Sequence, residues 1–176
     1  MSWTRAAFAI CIAGLALGAS AQQPQQPNPR DAVPDKMPND IPYGTPITLE
    51  RAQAAINAAV AESKKRGWKL NVAMVDSGAN LVAFARMDGA QLGSIAIAEH
   101  KARAAAKFRR ETKAFESGIQ EGNLHYLLTL DDVIASRGGI LIIDNGQISG
   151  AIGCSGGTGS QDEVVCKAGA DAVMKR

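Results

Sequence analysis

The sequence predicts an α+β fold, in which an antiparallel sheet of four to five strands is covered by flanking helices. Two pairs of β-rich segments, within residues 70–88 and 138–156, are each joined by a short turn. Helical segments precede, separate and follow these pairs. Hairpin-joined strands run antiparallel, whereas parallel neighbours need long crossover connections. The order α-β-β-α-irregular-β-β-α therefore favours helices packed on an antiparallel sheet.

Local signals place each element. Thr48 is positioned to cap the first helix and Gly67 to end it. Asn145-Gly146 is a strong turn signal for the second hairpin. Residues 112–137 are apolar enough to pack and are predicted to form short helical turns. The helices are predicted at residues 48–66, about 91–110 and about 161–175, and the strands at 70–76, 80–88 and on either side of Asn145-Gly146.

The N-terminal part divides into two segments ahead of the domain. Residues 1–21 combine one charge, Arg5, with a short apolar core and a small-residue cleavage pattern, which is typical of a secretory signal peptide. Residues 22–46 hold all seven prolines and few large apolar side chains, so they are predicted to be an extended linker. The domain is predicted at residues 47–176, in a soluble protein that is periplasmic or secreted.

The charge balance gives no indication of a nucleic-acid partner. Loss of Arg5 with the signal peptide changes 19 basic and 17 acidic residues to 18 and 17. Binding to nucleic acid needs a basic patch or stripe. The cations between Lys101 and Arg110 are spread along the second predicted helix, and we interpret them as a solvated face.

A glycine-rich turn at residues 155–159 leads into the last predicted helix. Ser160 stands three residues before Glu163, which predicts a capping box. Asp162 and Glu163 would oppose a phosphate at this helix start. No lysine follows Gly159, as a phosphate-binding loop requires. A tight structural turn is therefore favoured over nucleotide binding.

Four blocks of sequence resemble the GlcG/HbpS-like family of haem-binding-type domains, a domain also found at the C-terminus of PduO-type proteins. The blocks are MVDSGANLVAFARMDGA, GSIAIAEHKARAAAKF, GGILIIDNGQISGAIG, and IGCSGGTGSQDE followed by AGADAV. The resemblance covers nearly all of residues 47–174. It implies a profilin-like α+β fold and a homo-oligomer. It also implies haem binding in several members, and a membrane sensor partner for exported ones.

The candidate haem-binding residues are His100, Arg103, Lys107 and His125. Haem iron takes an axial donor such as histidine, and no family motif assigns that role here. His100 lies at the edge of the polar face of the second helix, where Arg103 and Lys107 suit haem propionates. His100 is therefore the leading ligand to the iron, with His125 second. The alternative is a solvent-exposed histidine.

A ligand pocket is predicted where the second strand meets the second helix, beside the glycine-rich turn. Asp88 is its candidate wall, with the alternative that it only caps or turns the chain. No Ser-His-Asp set, HExxH or CxxC motif indicates catalysis. The pocket residues are Met87, Asp88, Gly89, Gly156, Gly157, Thr158 and Gly159.

Three functions stay open from the sequence. The first is an exported haem-binding or haem-responsive module. The second is a binder or enzyme for a small organic acid that uses the glycine-rich turn. The third is an oligomeric interaction protein without a ligand.

Cys154 and Cys166 are the cysteines that stay after Cys11 leaves with the signal peptide. In an oxidising compartment such a pair can form a disulfide. The tight turn folds the helix back toward the strand, which favours contact. Against such contact, the predicted helix carries Cys166 roughly 9 Å along its axis, away from the strand that holds Cys154. A disulfide and two buried thiols are both compatible with the sequence.

Overall fold

The computed structural model describes residues 31–175, so the predicted signal peptide lies outside the described residues. The chain divides into two units, Met1–Lys36 and Met37–Arg176. The helices and strands described below all belong to the second unit. Among residues 31–175, no helix combines the length and apolar character that crossing a membrane requires.

Four strands form one sheet, in the order β2-β1-β4-β3. Each neighbouring pair is antiparallel, which confirms the predicted α+β fold. The two predicted hairpins are joined through β1 and β4, whose register runs from Asn71 opposite Ser155 to Asp76 opposite Gly150. The strands are β1 (Asn71–Asp76), β2 (Leu81–Arg86), β3 (Gly139–Asp144) and β4 (Gln147–Ser155).

The helices follow the predicted order. The region 112–137 contains two short helical segments, as its apolar pattern indicated. The helices are α1 (Leu49–Lys65), α2 (Ser94–Phe108), α3 (Lys113–Gln120) and α4 (Gly159–Asp171), with a 3-10 helix at His125–Thr129 between α3 and β3.

Helices α1 and α4 cover one face of the sheet. Met74 and Ile152 from the sheet share an apolar cluster with Ala55 of α1 and Val165 of α4. Gly169 permits close contact between the two helices, because a β-carbon there would lie 2.8 Å from the backbone oxygen of Ala55. The even-numbered side chains of β1 therefore point toward α1 and α4.

Helix α2 covers the opposite face. Four of its buried alanines, Ala98, Ala102, Ala105 and Ala106, pack with Ala73 of β1 and Ala151 of β4. At Gly153 a β-carbon would lie only 2.1 Å from the backbone oxygen of Ala98. The absence of a side chain there brings α2 close to the strands, and this close approach shapes the charged site described below.

Residues 41–46 belong to the folded unit, although the proline-rich composition predicted a linker up to residue 46. Strand β4 extends past the end of β1, which leaves the backbone of Ile148 open on that side. Ile148 N donates to the oxygen of Pro42, and Gly44 N donates to the oxygen of Ile148. The Tyr43 hydroxyl donates to the oxygen of Lys107 at 2.9 Å. Proline has a backbone acceptor and no backbone donor, and this pairing uses the acceptor of Pro42.

Candidate functional site

The glycine-rich turn joins β4 to α4 and lies against the start of β1. A β-carbon on Gly156 would lie 2.6 Å from the backbone oxygen of Lys69, and its φ is +149°. The next two amides bind side chains of α4: Gly157 N donates to Asp162 Oδ1 at 3.0 Å, and Thr158 N donates to Gln161 Oε1 at 2.8 Å. The protein's own side chains therefore use the donors that an anionic ligand would need.

Thr158, and not Ser160, caps α4, so the predicted Ser160–Glu163 capping box is wrong by two residues. Thr158 has the extended backbone of an N-cap, and its side chain accepts from Gln161 N while Gln161 reaches back. Ser160 already lies within the helix. Thr158–Gln161 and Ser160–Glu163 both have the spacing of a capping box, so the sequence pattern alone did not decide which pair forms it.

We expect Thr158→Ala to lower the free energy of unfolding by about 1 kcal/mol, the usual effect of removing an N-cap hydroxyl. Ser160→Ala is the matched control and should change stability by less than about half of that, because alanine favours a helix interior. Urea denaturation of both variants measures the difference. A larger loss for Ser160→Ala would contradict the observed cap.

A buried ion pair lies beneath the turn. Lys101 Nζ donates to Asp162 Oδ2 at 2.7 Å, and their side chains are 1% and 3% exposed. Burial raises the pKa of the Asp162 carboxyl, while Lys101 and the amide of Gly157 oppose the rise. The pair connects α2 to α4 across the end of the sheet.

The solvated face predicted for the cations of α2 is therefore wrong at Lys101. Lys101 follows Ala98 by three residues and precedes Ala105 by four, which places it on the buried alanine side of α2. A β-carbon on Gly139 would lie 2.3 Å from the backbone oxygen of Lys101. The helix approaches the sheet too closely there for the side chain to reach solvent. The spacing of Lys101 from Ala98 and Ala105 was the feature of the sequence that indicated its burial.

A second set of ion pairs surrounds the buried one. Arg137 contacts Glu116 of α3 at 2.7 Å and Glu163 of α4 at 3.5 Å. Glu163 also contacts Lys113 at 3.1 Å, so its carboxylate is an ion-pair partner and not a cap. The hydrogen bond from Arg137 lowers the pKa of the Glu116 carboxyl. The turn is thus a charged junction between helices.

The structure separates the two halves of the predicted ligand pocket. Met87 and Asp88 line a cavity of about 470 Å³ together with Trp68 and Lys69, and the glycine-rich turn does not line it. The start of β1 lies between the halves: Met87 N donates to the oxygen of Leu70 at 3.2 Å, and Gly156 contacts the same segment from the other side.

His100, Arg103 and Lys107 follow one another in α2 at spacings of three and four residues, which places them along one side of the helix. His100 is half-buried, and its Nε2 atom is buried without a hydrogen-bond partner among residues 31–175. Arg103 is paired with Glu99 at 2.8 Å, and Lys107 is paired with Asp132. The hydrogen bond from Lys107 lowers the pKa of the Asp132 carboxyl, and the charge of Arg103 acts in the same direction.

His125 begins the 3-10 helix and is exposed. No hydrogen bond in the described part of the chain joins it to His100. No group of three or more histidine, cysteine or acidic side chains within residues 31–175 is arranged to hold a metal ion.

Cys154 of β4 and Cys166 of α4 are joined by a disulfide, with Cα atoms 5.6 Å apart. Both side chains are fully buried in the cluster between the sheet and α1 and α4. The glycine-rich turn reverses the chain tightly enough to bring the second turn of α4 back over the strand that precedes it.

A four-stranded antiparallel sheet with α1 and α4 on one face and α2 on the other defines an α+β domain. The chain matches the family described as "Haem degrading protein HbpS-like" over residues 47–171. It is 37% identical over 109 residues to protein GlcG of Escherichia coli K12, which covers 62% of this chain and 81% of that protein. The protein belongs to the HbpS-like family, as the sequence blocks indicated.

Solved structures show the same fold. The crystal structure of Klebsiella pneumoniae protein ORFY superposes with a TM-score of 0.70 at 30% identity, covering 78% of this chain and 97% of that chain. The crystal structure of HbpS gives a TM-score of 0.69 at 29% identity, with the same coverage of 78% and 97%.

Proposed function

We propose that this protein is an exported haem-binding module and that His100 is the axial ligand to the haem iron. The family description refers to haem. The observation that carries the proposal is the buried Nε2 of His100, which has no hydrogen-bond partner among the described residues. Buried polar atoms are normally paired, and an unpaired imidazole nitrogen is the donor that haem iron takes.

The surroundings of His100 suit the two chemical parts of haem. Arg103 and Lys107 lie one and two turns along the same helix and supply cations for the propionates. Their present partners, Glu99 and Asp132, form partly exposed ion pairs. Such pairs contribute little to stability, so exchange for a propionate costs little.

Apolar surface for a porphyrin lies next to this side of α2. Ala104, one turn after His100, packs with Leu127 of the 3-10 helix. On either side of Leu127, Tyr126 and Leu128 are 58% and 68% exposed. Exposed large apolar side chains that flank a buried one provide a surface that a flat apolar ligand can cover.

Bound haem would supply a redox-active iron, and the protein would hold that iron through His100. Export to the periplasm or the medium is part of the proposal and rests on the signal-peptide pattern of residues 1–21. The family resemblance adds two further parts to the proposal, a homo-oligomer and a membrane sensor partner. The glycine-rich turn is not assigned a ligand, because Asp162 and Gln161 already bind its amides.

A haemin titration followed in the Soret region tests the proposal. The wild-type protein should give a sharp, saturating band with one haem per chain. His100→Ala should shift that band and weaken binding at least tenfold, because the iron loses its protein donor. His125→Ala is the matched control and should leave the spectrum unchanged. Equal spectra and affinities for wild type and His100→Ala would reject the ligand assignment, and no saturable band would reject haem binding.

A further inference from the structure

The cavity lined by Trp68 and Met87 has the size and surface of a small-molecule site. Its volume of about 470 Å³ falls within the roughly 300–1,000 Å³ that is typical of ligand pockets. Val60 and Ala85 extend its apolar wall. Trp68 and Met87 are half-buried. The Arg66 guanidinium lies over the Trp68 ring, 5.1 Å from its centroid, and the remaining exposed part of each side chain is available for contact with a ligand.

The charged groups around this cavity are mostly positive and have no side-chain partners in the described part of the chain. Lys64, Lys69 and Arg86 line it, with Asp88 as its one acid, which gives three positive charges and one negative. None of the four forms a side-chain hydrogen bond or ion pair with any residue between 31 and 175. The charged junction at the glycine-rich turn differs, because its lysines and arginine are all paired. The excess of unpaired cations is complementary to an anion.

Two glycines place these cations. Gly67 has φ +70°, which ends α1 and turns the chain back toward the sheet. Gly89 has φ +75°, and a β-carbon there would lie 3.1 Å from Lys69 Nζ. The missing side chain at Gly89 therefore leaves room for the ammonium group of Lys69.

We propose that this cavity binds an organic anion with a flat apolar body and a carboxylate group. The apolar body lies against Trp68 and Met87, and the carboxylate meets Lys69 and Arg86. An aromatic face and guanidinium or ammonium donors are the groups that recognise these two parts. The site goes beyond the haem proposal and does not depend on it, because His100 does not line this cavity.

Phenylacetate is the probe for this site, in the full chain with Trp3 replaced by phenylalanine. Trp68 is then the only tryptophan, so its fluorescence reports contact, and calorimetry gives the affinity. We expect saturable binding with one ligand per chain. Phenylacetamide lacks the charge and acetate lacks the apolar body, so each should bind at least tenfold more weakly.

Single substitutions locate the site. Lys69→Gln and Arg86→Gln should each weaken phenylacetate binding about five- to tenfold, since each removes one nearby opposite charge. Lys65→Gln is the matched control, because Lys65 lies beside Lys64 but does not line the cavity, and it should change affinity less than twofold. All three positions are exposed, so the variants should fold normally.

The outcomes separate this site from the haem site. His100→Ala should keep full affinity for phenylacetate. If haemin displaces phenylacetate, the cavity takes a flat dicarboxylate, which supports the proposal here and contradicts His100 as the haem ligand. Equal affinity for phenylacetate and phenylacetamide would overturn the proposal. The proposal would also be overturned if Lys65→Gln and Arg86→Gln lost the same affinity for phenylacetate, or if phenylacetate caused no saturable change in Trp68 fluorescence.

Discussion

Replacement of Lys101 by methionine is expected to lower the free energy of unfolding by about 3–5 kcal/mol, the typical effect of removing one partner from a buried ion pair. Methionine fills much of the volume of the lysine side chain but leaves the Asp162 carboxylate without its cation. The 2.7 Å contact between Nζ and Oδ2 is the only ion pair that Asp162 forms within residues 31–175. Urea denaturation measures the loss.

The pH dependence of this loss identifies its cause. Without Lys101, burial raises the pKa of the Asp162 carboxyl further above its value in the unfolded chain. A carboxyl with a raised pKa in the folded state costs stability above that pKa, and the cost disappears as pH falls through it. The difference in free energy of unfolding between Lys101→Met and wild type should therefore become smaller as the pH falls from neutral to mildly acidic.

Two further variants separate charge from packing. Lys101→Met combined with Asp162→Asn should recover part of the loss, because no buried charge is left unpaired. Lys107→Met removes an exposed ion pair from the same helix and should cost less than about 1 kcal/mol. If Lys101→Met lost no more stability than Lys107→Met, and if that loss did not vary with pH, the result would contradict a buried, ionised pair.

The fold was predictable because its strands are joined locally. Asn145-Gly146 fixes one hairpin, and the turn at residues 77–79 fixes the other. In α2, the residues that pack on the sheet recur at helical spacing, as Ala98, Ala102, Ala105 and Ala106 show. Each of these signals depends on residues close in sequence, so no long-range information was needed. The pairing of β1 with β4 joins segments that are far apart in sequence, and it was not predicted.

The candidate site was less predictable because its contacts join distant segments. Lys101 and Asp162 are 61 residues apart. Their polar types predicted a solvated face for Lys101 and, for Asp162, a negative charge at the start of the last helix. Tyr43 lies in a segment whose composition resembles a linker, yet it contacts α2. The unpaired Nε2 of His100 depends on how neighbouring segments cover the ring. Local sequence indicates the burial of Lys101 through its helical spacing, but it does not indicate the partner of Lys101, the contact of Tyr43 with α2 or the unpaired Nε2 of His100.

The disulfide between Cys154 and Cys166 is expected to contribute about 3 kcal/mol to stability. The two residues are 12 apart in sequence, and the chain-entropy model gives about 3 kcal/mol for a loop of roughly 15 residues. Reduction should therefore lower the free energy of unfolding by about that amount in urea denaturation. The variant with both cysteines replaced by alanine should be insensitive to reductant, which makes it the control for other effects of the reagent.

Thiol titration of the unfolded, unreduced protein decides whether the bond is present. Cys11 is replaced by serine in this experiment, so that only Cys154 and Cys166 contribute. No free thiol, together with a monomeric band on a non-reducing gel, is the expected result. Two free thiols per chain would show that the pair packs only as small apolar side chains. A disulfide of this kind persists in oxidising compartments, so its presence in protein from the periplasm and its absence in protein kept in the cytosol would also support the proposed export.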